Sequence, residues 1–147
     1  LWNPTGSKRI INIKKLLLGY VSGNNAPGSL AWNITERAGS QVATGGPIPT
    51  ATRVAVVSAF AGKGLLDSQA IWSPTTNTFT AAPAYYRPTA LSLFTGVAAT
   101  AVAPFAWGEE YDGDFLVAPD TAVSLVSQQA TTTSLVRIVV LFEEVDE

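Results

Sequence analysis

The stretch EEYDGD sets four carboxylates, Glu109, Glu110, Asp112 and Asp114, within six residues. Oxygens at that density can ligate a hard divalent cation, and two carboxyls facing across a cleft can hydrolyse a glycosidic bond. The spacing does not match a helix-flanked calcium loop, which wants oxygen ligands at alternate positions before a glycine and a glutamate at its end. The four residues are therefore a weak calcium candidate. The plainer reading is a solvated hairpin turn with Asp112 and Gly113 at its tip. No residue pattern points to the cleft that a carboxylate hydrolase needs among the eleven carboxylates of the chain.

A second group, Gly6, Ser7 and Lys8, sits just ahead of an apolar run and looks like a fragment of a phosphate-binding loop. Such a loop needs a glycine five residues earlier, a lysine directly after the second glycine and a helix beyond it. None of these is present, and the residues after Arg9 are β-patterned, so Pro4-Thr5-Gly6-Ser7 reads as a turn entering a strand. With no histidine and no cysteine in 147 residues, Ser-His-Asp and Cys-His catalysis and histidine- or thiolate-ligated metals are excluded. The expectation is a protein that is not an enzyme and carries no cofactor.

The cations Lys8, Arg9, Lys14 and Lys15 have two readings. They either discourage edge-to-edge aggregation of the first strand or meet an acidic surface, such as a neighbouring subunit's Glu143 to Glu147, EEVDE. Trp2, Trp32, Trp72, Trp107 and the pair Tyr85 and Tyr86 could stack on sugars, although aromatics at strand spacing more often fill a core.

These residues need a scaffold, and the patterning supplies one. Segments rich in Val, Ile, Thr and aromatics alternate with clusters of Gly, Pro, Asn and Asp, and no stretch combines helical period with caps. The chain reads as all-β: a two-sheet antiparallel sandwich, jelly-roll-like, with long loops, in one domain over residues 1–147. Arg9 to Val21 is the first strand, and its alternation changes phase, so a bulge near Lys14 and Lys15 is needed to keep Ile11, Ile13, Leu16 and Leu18 on one side. Leu30 to Thr35 follows with Leu30, Trp32 and Ile34 on one face. Residues 39–50 read as a loop, and 52–66 as a short strand or irregular segment.

Ala70 to Ser73 and Asn77 to Ala81 read as short strands, and 81–90 as extended chain leading to a separate strand at Leu91 to Thr95. Residues 96–108 read as a connection. Ala118, Pro119 and Asp120 form a turn into a strand at Ala122 to Ser127, with Val123 and Leu125 inward. The last strand, Leu135 to Phe142, puts Val136, Ile138, Val140 and Phe142 on one face and Leu135, Val139 and Leu141 on the other, broken only by Arg137. Both faces ask to be covered, as in a central strand whose outer face meets a loop or a neighbouring subunit. The interface candidates are accordingly Leu135, Arg137, Val139 and Leu141, with Lys14 and Lys15.

Charged residues are 14% of the chain and apolar residues 47%, against about 25% charged in an average domain. So little charge fits a surface partly buried against other subunits. A net charge of −2 gives no footprint for nucleic acid, and no run reaches the length of a membrane-spanning helix, so neither partner is expected. The first residue is Leu1 and not Met, so the chain reads as beginning inside a longer encoded one.

The phrases LWNPTGSKRIINIKKLLLGYVSG, ATGGPIPT, AAPAYYRPTALSL, VAPDTAVSLV and LVRIVVLFEEV together resemble those of small β-sandwich virion proteins of tailed bacteriophages, which decorate heads or build tail and fibre parts. The resemblance covers most of the chain and transfers no functional residue. It implies a structural protein located in the virion, partnered by other virion proteins and by copies of itself, commonly as trimers. A receptor- or carbohydrate-binding module of a fibre or spike is the alternative it leaves open.

Overall fold

The computed structural model describes residues 1–22, 28–38, 68–73, 83–93, 106–127 and 135–147. The expectations for 39–50, 52–66 and 77–81 lie outside these, as does most of 96–108. Strands make up 71% of the described residues, with no α-helix among them, and they form two antiparallel sheets consistent with a β-sandwich.

The first sheet has the order β1 (Trp2–Asn3), β7 (Thr121–Ser127), β3 (Gly28–Thr35), β4 (Ala84–Leu93). The second is built on β2 (Arg9–Ser22), which pairs β8 (Leu135–Asp146) along one side and both β5 (Ala106–Glu110) and β6 (Leu116–Val117) along the other. The cluster between the sheets includes Ile11, Ile13, Leu16 and Leu18 of β2, Leu30 and Trp32 of β3, Val117, Val123, Tyr111 and Phe115.

The opening turn forms as expected: Ser7 N–H donates to the Pro4 carbonyl at 3.2 Å, and Gly6 takes φ 77°. That conformation is left-handed, which glycine adopts without a Cβ clash. The expected bulge is also present, since the β2–β8 register shifts between Ile13 and Lys15. A single extra residue flips the alternation, so Ile11 and Ile13 before it and Leu16 and Leu18 after it all enter the core.

Several expectations change. The EEYDGD stretch is not a hairpin tip, because β5 and β6 run in line along the same side of β2. Residues 111–115 are an excursion opposite the bulge, tied at both ends by Tyr111 N–H to the Lys14 carbonyl (2.8 Å) and Ile13 N–H to the Phe115 carbonyl (3.0 Å). The excursion sends Tyr111 and Phe115 into the core. Ala106 to Gly108, expected as the end of the connection, is strand.

Pro88 does not separate two strands. It lies within β4, opposite Ala31, and β4 is at the end of its sheet, where a missing N–H costs no ladder bond. Ala70 to Ser73 is reduced to a bridge between Ile71 and Trp2.

Strand β8 is longer than expected and sits differently. Among the described residues it pairs only β2, where a central strand would pair on both sides. Its Ile138, Val140 and Phe142 pack against the core, while the other row faces outward.

Candidate functional site

The four carboxylates of EEYDGD are held apart by strand alternation. Glu109 and Glu110 are neighbours in β5 and point to opposite faces. Glu109 turns to the core side and accepts from the Tyr111 hydroxyl at 3.1 Å, while that hydroxyl accepts from buried Trp32 Nε1 at 2.8 Å. Glu110 meets Lys15 Nζ at 2.6 Å on the outer face, and the bonded ammonium holds its carboxyl below the ordinary value. Asp114 pairs with Arg87 at 3.0 Å, and Asp112 is exposed. No three His, Cys, Asp or Glu side chains form a group that could hold a metal ion among the described residues.

What this region does instead is hold an aromatic cluster. The Arg87 guanidinium lies 5.1 Å from the Tyr111 ring centre and 5.9 Å from that of Phe115. Burial, with a smaller push from the Glu109 charge, raises the Tyr111 hydroxyl to about 12, so it stays protonated and bridges Trp32 to Glu109 at any ordinary pH. Replacing Tyr111 with Phe leaves the Trp32 N–H without its acceptor in a buried place. The expected loss in urea denaturation is about 2 kcal/mol. A change under about 0.5 kcal/mol would mean that the bridge adds nothing.

Three of the four cations, Arg9, Lys14 and Lys15, pair within their own chain. Lys14 Nζ meets Glu143 at 2.8 Å, and Arg9 meets Glu144 at 2.8 Å and Asp146 at 3.7 Å. The expected match between these bases and the EEVDE segment thus occurs inside one chain, across the β2–β8 ladder. Because β2 has partners on both sides, Lys14 and Lys15 do not guard an edge. The tryptophans are spent on packing: Trp2 and Trp32 are buried, and Trp72 and Trp107 lie against the core. Tyr85 and Tyr86 are exposed.

The candidate site is the outer face of the second sheet. Five of the eight exposed large hydrophobics among the described residues lie there: Leu116, Leu135, Val139, Leu141 and Val145, each between 41% and 55% exposed. The register explains their alignment. Leu17 lies between Val139 and Gly108, Lys15 between Leu141 and Glu110, and Gly19 faces Arg137. An open groove runs over Leu17, Gly19, Gly108 and Val139, with Lys15, Glu110 and Arg137 on its rim.

Gly108 shapes this groove, since a Cβ there would come within 2.8 Å of a Leu17 methyl. The groove is open to solvent and its lining, which includes Trp107 and Leu18, is mostly apolar, so it suits a protein surface better than an enclosed small molecule.

The structure brings the six interface candidates, Leu135, Arg137, Val139, Leu141, Lys14 and Lys15, onto this one sheet. Sequence reasoning missed Leu17, Gly108, Leu116 and Val145. A signal existed for the last: the alternation Leu141, Glu143, Val145 continues past Phe142, where the charges suggest an end. Leu116 had none, because its outward direction follows from pairing with Asn12.

Compared with known proteins, the chain matches no family model, no curated protein and no solved structure.

Proposed function

We propose that this chain is a structural virion protein of a tailed bacteriophage, a head decoration or other capsid- or tail-associated subunit that works through protein–protein assembly and without catalysis. The observation that carries the assembly part is the outer sheet face, where aliphatic side chains stand exposed in a row beside paired charges. A row of this kind stays in water only at a cost of about 25 cal/mol per Å² of apolar area, which a neighbouring subunit would recover. The virion part rests on the resemblance of the sequence phrases. Partners are then other virion proteins and copies of the same chain.

The alternative, a carbohydrate- or receptor-binding tip, would use an exposed cluster of tryptophan or tyrosine with Asp or Asn nearby. Here the four tryptophans are buried or packed against the core, which favours assembly, while Tyr85 and Tyr86 are the exposed rings that such a tip would use.

Sedimentation of the purified chain tests the reading, together with the double substitution Val139→Asp and Leu141→Asp. The expected result is a wild-type oligomer whose dissociation constant rises at least about tenfold in the variant, with the unfolding midpoint of the dilute subunit unchanged. Particles carrying the chain should contain it in fixed copy number. A wild type that is monomeric at every concentration and never accompanies particles would end the proposal. Unfolding of the isolated variant would instead assign the face to the chain's own core.

A further inference from the structure

Strand β8 carries an outward row that matches itself when the strand is turned end for end. Its residues run LVRIVVLFEEVD from Leu135 to Asp146. Laid antiparallel against a second copy with Val140 opposite Val140, the outward row pairs Leu135 with Val145, Arg137 with Glu143 and Val139 with Leu141. Each aliphatic side chain meets an aliphatic one, and each cation meets a carboxylate. A shift of two residues in either direction sets Arg137 against Leu141 or Val145 and Glu143 against Leu135 or Val139. A shift of one sets the outward row against the core row.

The backbone selects the same register. Glu147 N–H donates to the Lys8 carbonyl at 3.1 Å, directly beyond the β2–β8 ladder. Peptide groups alternate sides along an antiparallel strand, so the odd-numbered residues of β8 address β2 and the even-numbered ones, Val136 to Glu144, address the opposite side. No strand pairs that side among the described residues. Val140 opposite Val140 is then a hydrogen-bonded pair on a two-fold axis, and Ile138 opposite Phe142 is the next.

The two charges are available for this. Arg137 has no carboxylate partner among the described residues, and across the ladder it faces Gly19, which has no side chain to cover it. Glu143 has its side chain 49% exposed, and its two bonds, from Lys14 and Asn12, leave acceptor sites on the carboxylate open.

We infer that β8 is the seam of a two-fold homodimer, in which two copies add their β8 edges antiparallel about Val140 and the second sheet of one copy continues into that of the other. This rests on the assembly reading above and names its partner as a second copy of this chain. A twelve-residue strand with an aliphatic outer row and one side unpaired among the described residues invites pairing, and two-fold pairing closes the interface so that it does not grow into a fibre.

Charge reversal and cysteine trapping in the full chain test the seam. Arg137→Glu is expected to weaken the dimer at least about tenfold by sedimentation, because two like-charged pairs appear per dimer, with the circular dichroism spectrum unchanged. Glu143→Arg alone should do the same, and the two changes together should return the dissociation constant to within about threefold of wild type. The chain has no cysteine, so V139C/L141C supplies the only thiols, and mild oxidation should yield a disulfide-linked dimer.

An oligomer indifferent to R137E and E143R, or a cysteine variant that stays unlinked, overturns the seam while leaving assembly through the outer face standing, since the aspartate variant still dissociates it. A monomeric wild type removes both.

Discussion

Replacing Phe115 by alanine is expected to destabilise the fold by about 4 kcal/mol, the largest effect of any single substitution considered. The ring is fully buried. It meets Trp32 edge-on at 5.1 Å between centres, Tyr111 edge-on at 5.4 Å and Tyr86 at 5.2 Å in a tilted contact, with Arg87 beyond. Truncation removes the transfer energy of the ring and leaves a cavity walled by rigid aromatics, which collapse poorly into the space. The backbone contributes a reason to expect little relief: the Phe115 carbonyl accepts from Ile13 N–H and pins the excursion to β2 beside the bulge.

Urea denaturation gives the free energy directly, and the thermal midpoint should fall by about 8 to 16 °C for a chain of this length. Phe115→Leu, which keeps most of the volume, should lose less than half as much. A loss under about 1.5 kcal/mol for the alanine variant would mean that the excursion is not a core element.

The second large effect belongs to Glu144. It sits on the core side of β8 with its side chain 10% exposed, and it accepts from Arg9 Nη1 at 2.8 Å, Ala70 N–H at 2.9 Å, Gln69 N–H at 3.2 Å and the Ser68 hydroxyl. These bonds fasten residues 68–70 to the second sheet, and two residues from Gln69, Ile71 bridges to Trp2 of the first. One carboxylate therefore helps tie the two sheets together. Burial alone would raise its pKa, and the bonds from Ser68, Arg9 and the two amides outweigh that and hold it below the ordinary value.

Glu144→Gln keeps the shape but turns one acceptor into a donor facing donors and leaves Arg9 without that partner. It should cost about 3 kcal/mol at pH 7. The pH dependence follows from the depressed folded pKa. Stability from this group is fully present above the unfolded carboxyl value, about 4.3, and is lost as pH falls through the lower folded value. The gap between wild type and E144Q should therefore be constant from pH 7 to about pH 5 and narrow below about pH 4. Using the difference removes the parallel contributions of Glu110 and Glu143, whose carboxyls are also held low by Lys15 and Lys14. A gap that stays constant down to pH 3 would show that Glu144 carries no linked charge.

Both residues illustrate what could be read along the chain and what could not. Phase along β2 is local information: Ile11 and Ile13 followed by Leu16 and Leu18 require one extra residue between them, and the bulge stands where the pattern breaks. The Pro-Thr-Gly-Ser turn and the inward set of β7 are local in the same sense. By contrast, the EEYDGD stretch carries hairpin chemistry in its Asp-Gly pair, and the tertiary structure overrides it because β5 and β6 both find β2. Partner choice is a property of residues about 100 positions apart in sequence, and no local signal encodes it.

The final strand shows the same boundary for the candidate site. Its two apolar rows are legible in LVRIVVLF, and so is the need to cover both. The amino-acid sequence by itself determined the strand-rich class, the turn and bulge positions, and the exclusion of histidine and cysteine chemistry, because propensity, alternation and composition act within a few residues. Only the tertiary structure decided that Arg9 and Lys14 pair with their own chain's acidic end, that β8 pairs only β2 among the described residues, and that Leu116, Val139, Leu141 and Val145 share one exposed face. Those outcomes depend on which strands pair and in which register, and pairing is set by the burial of the whole core at once.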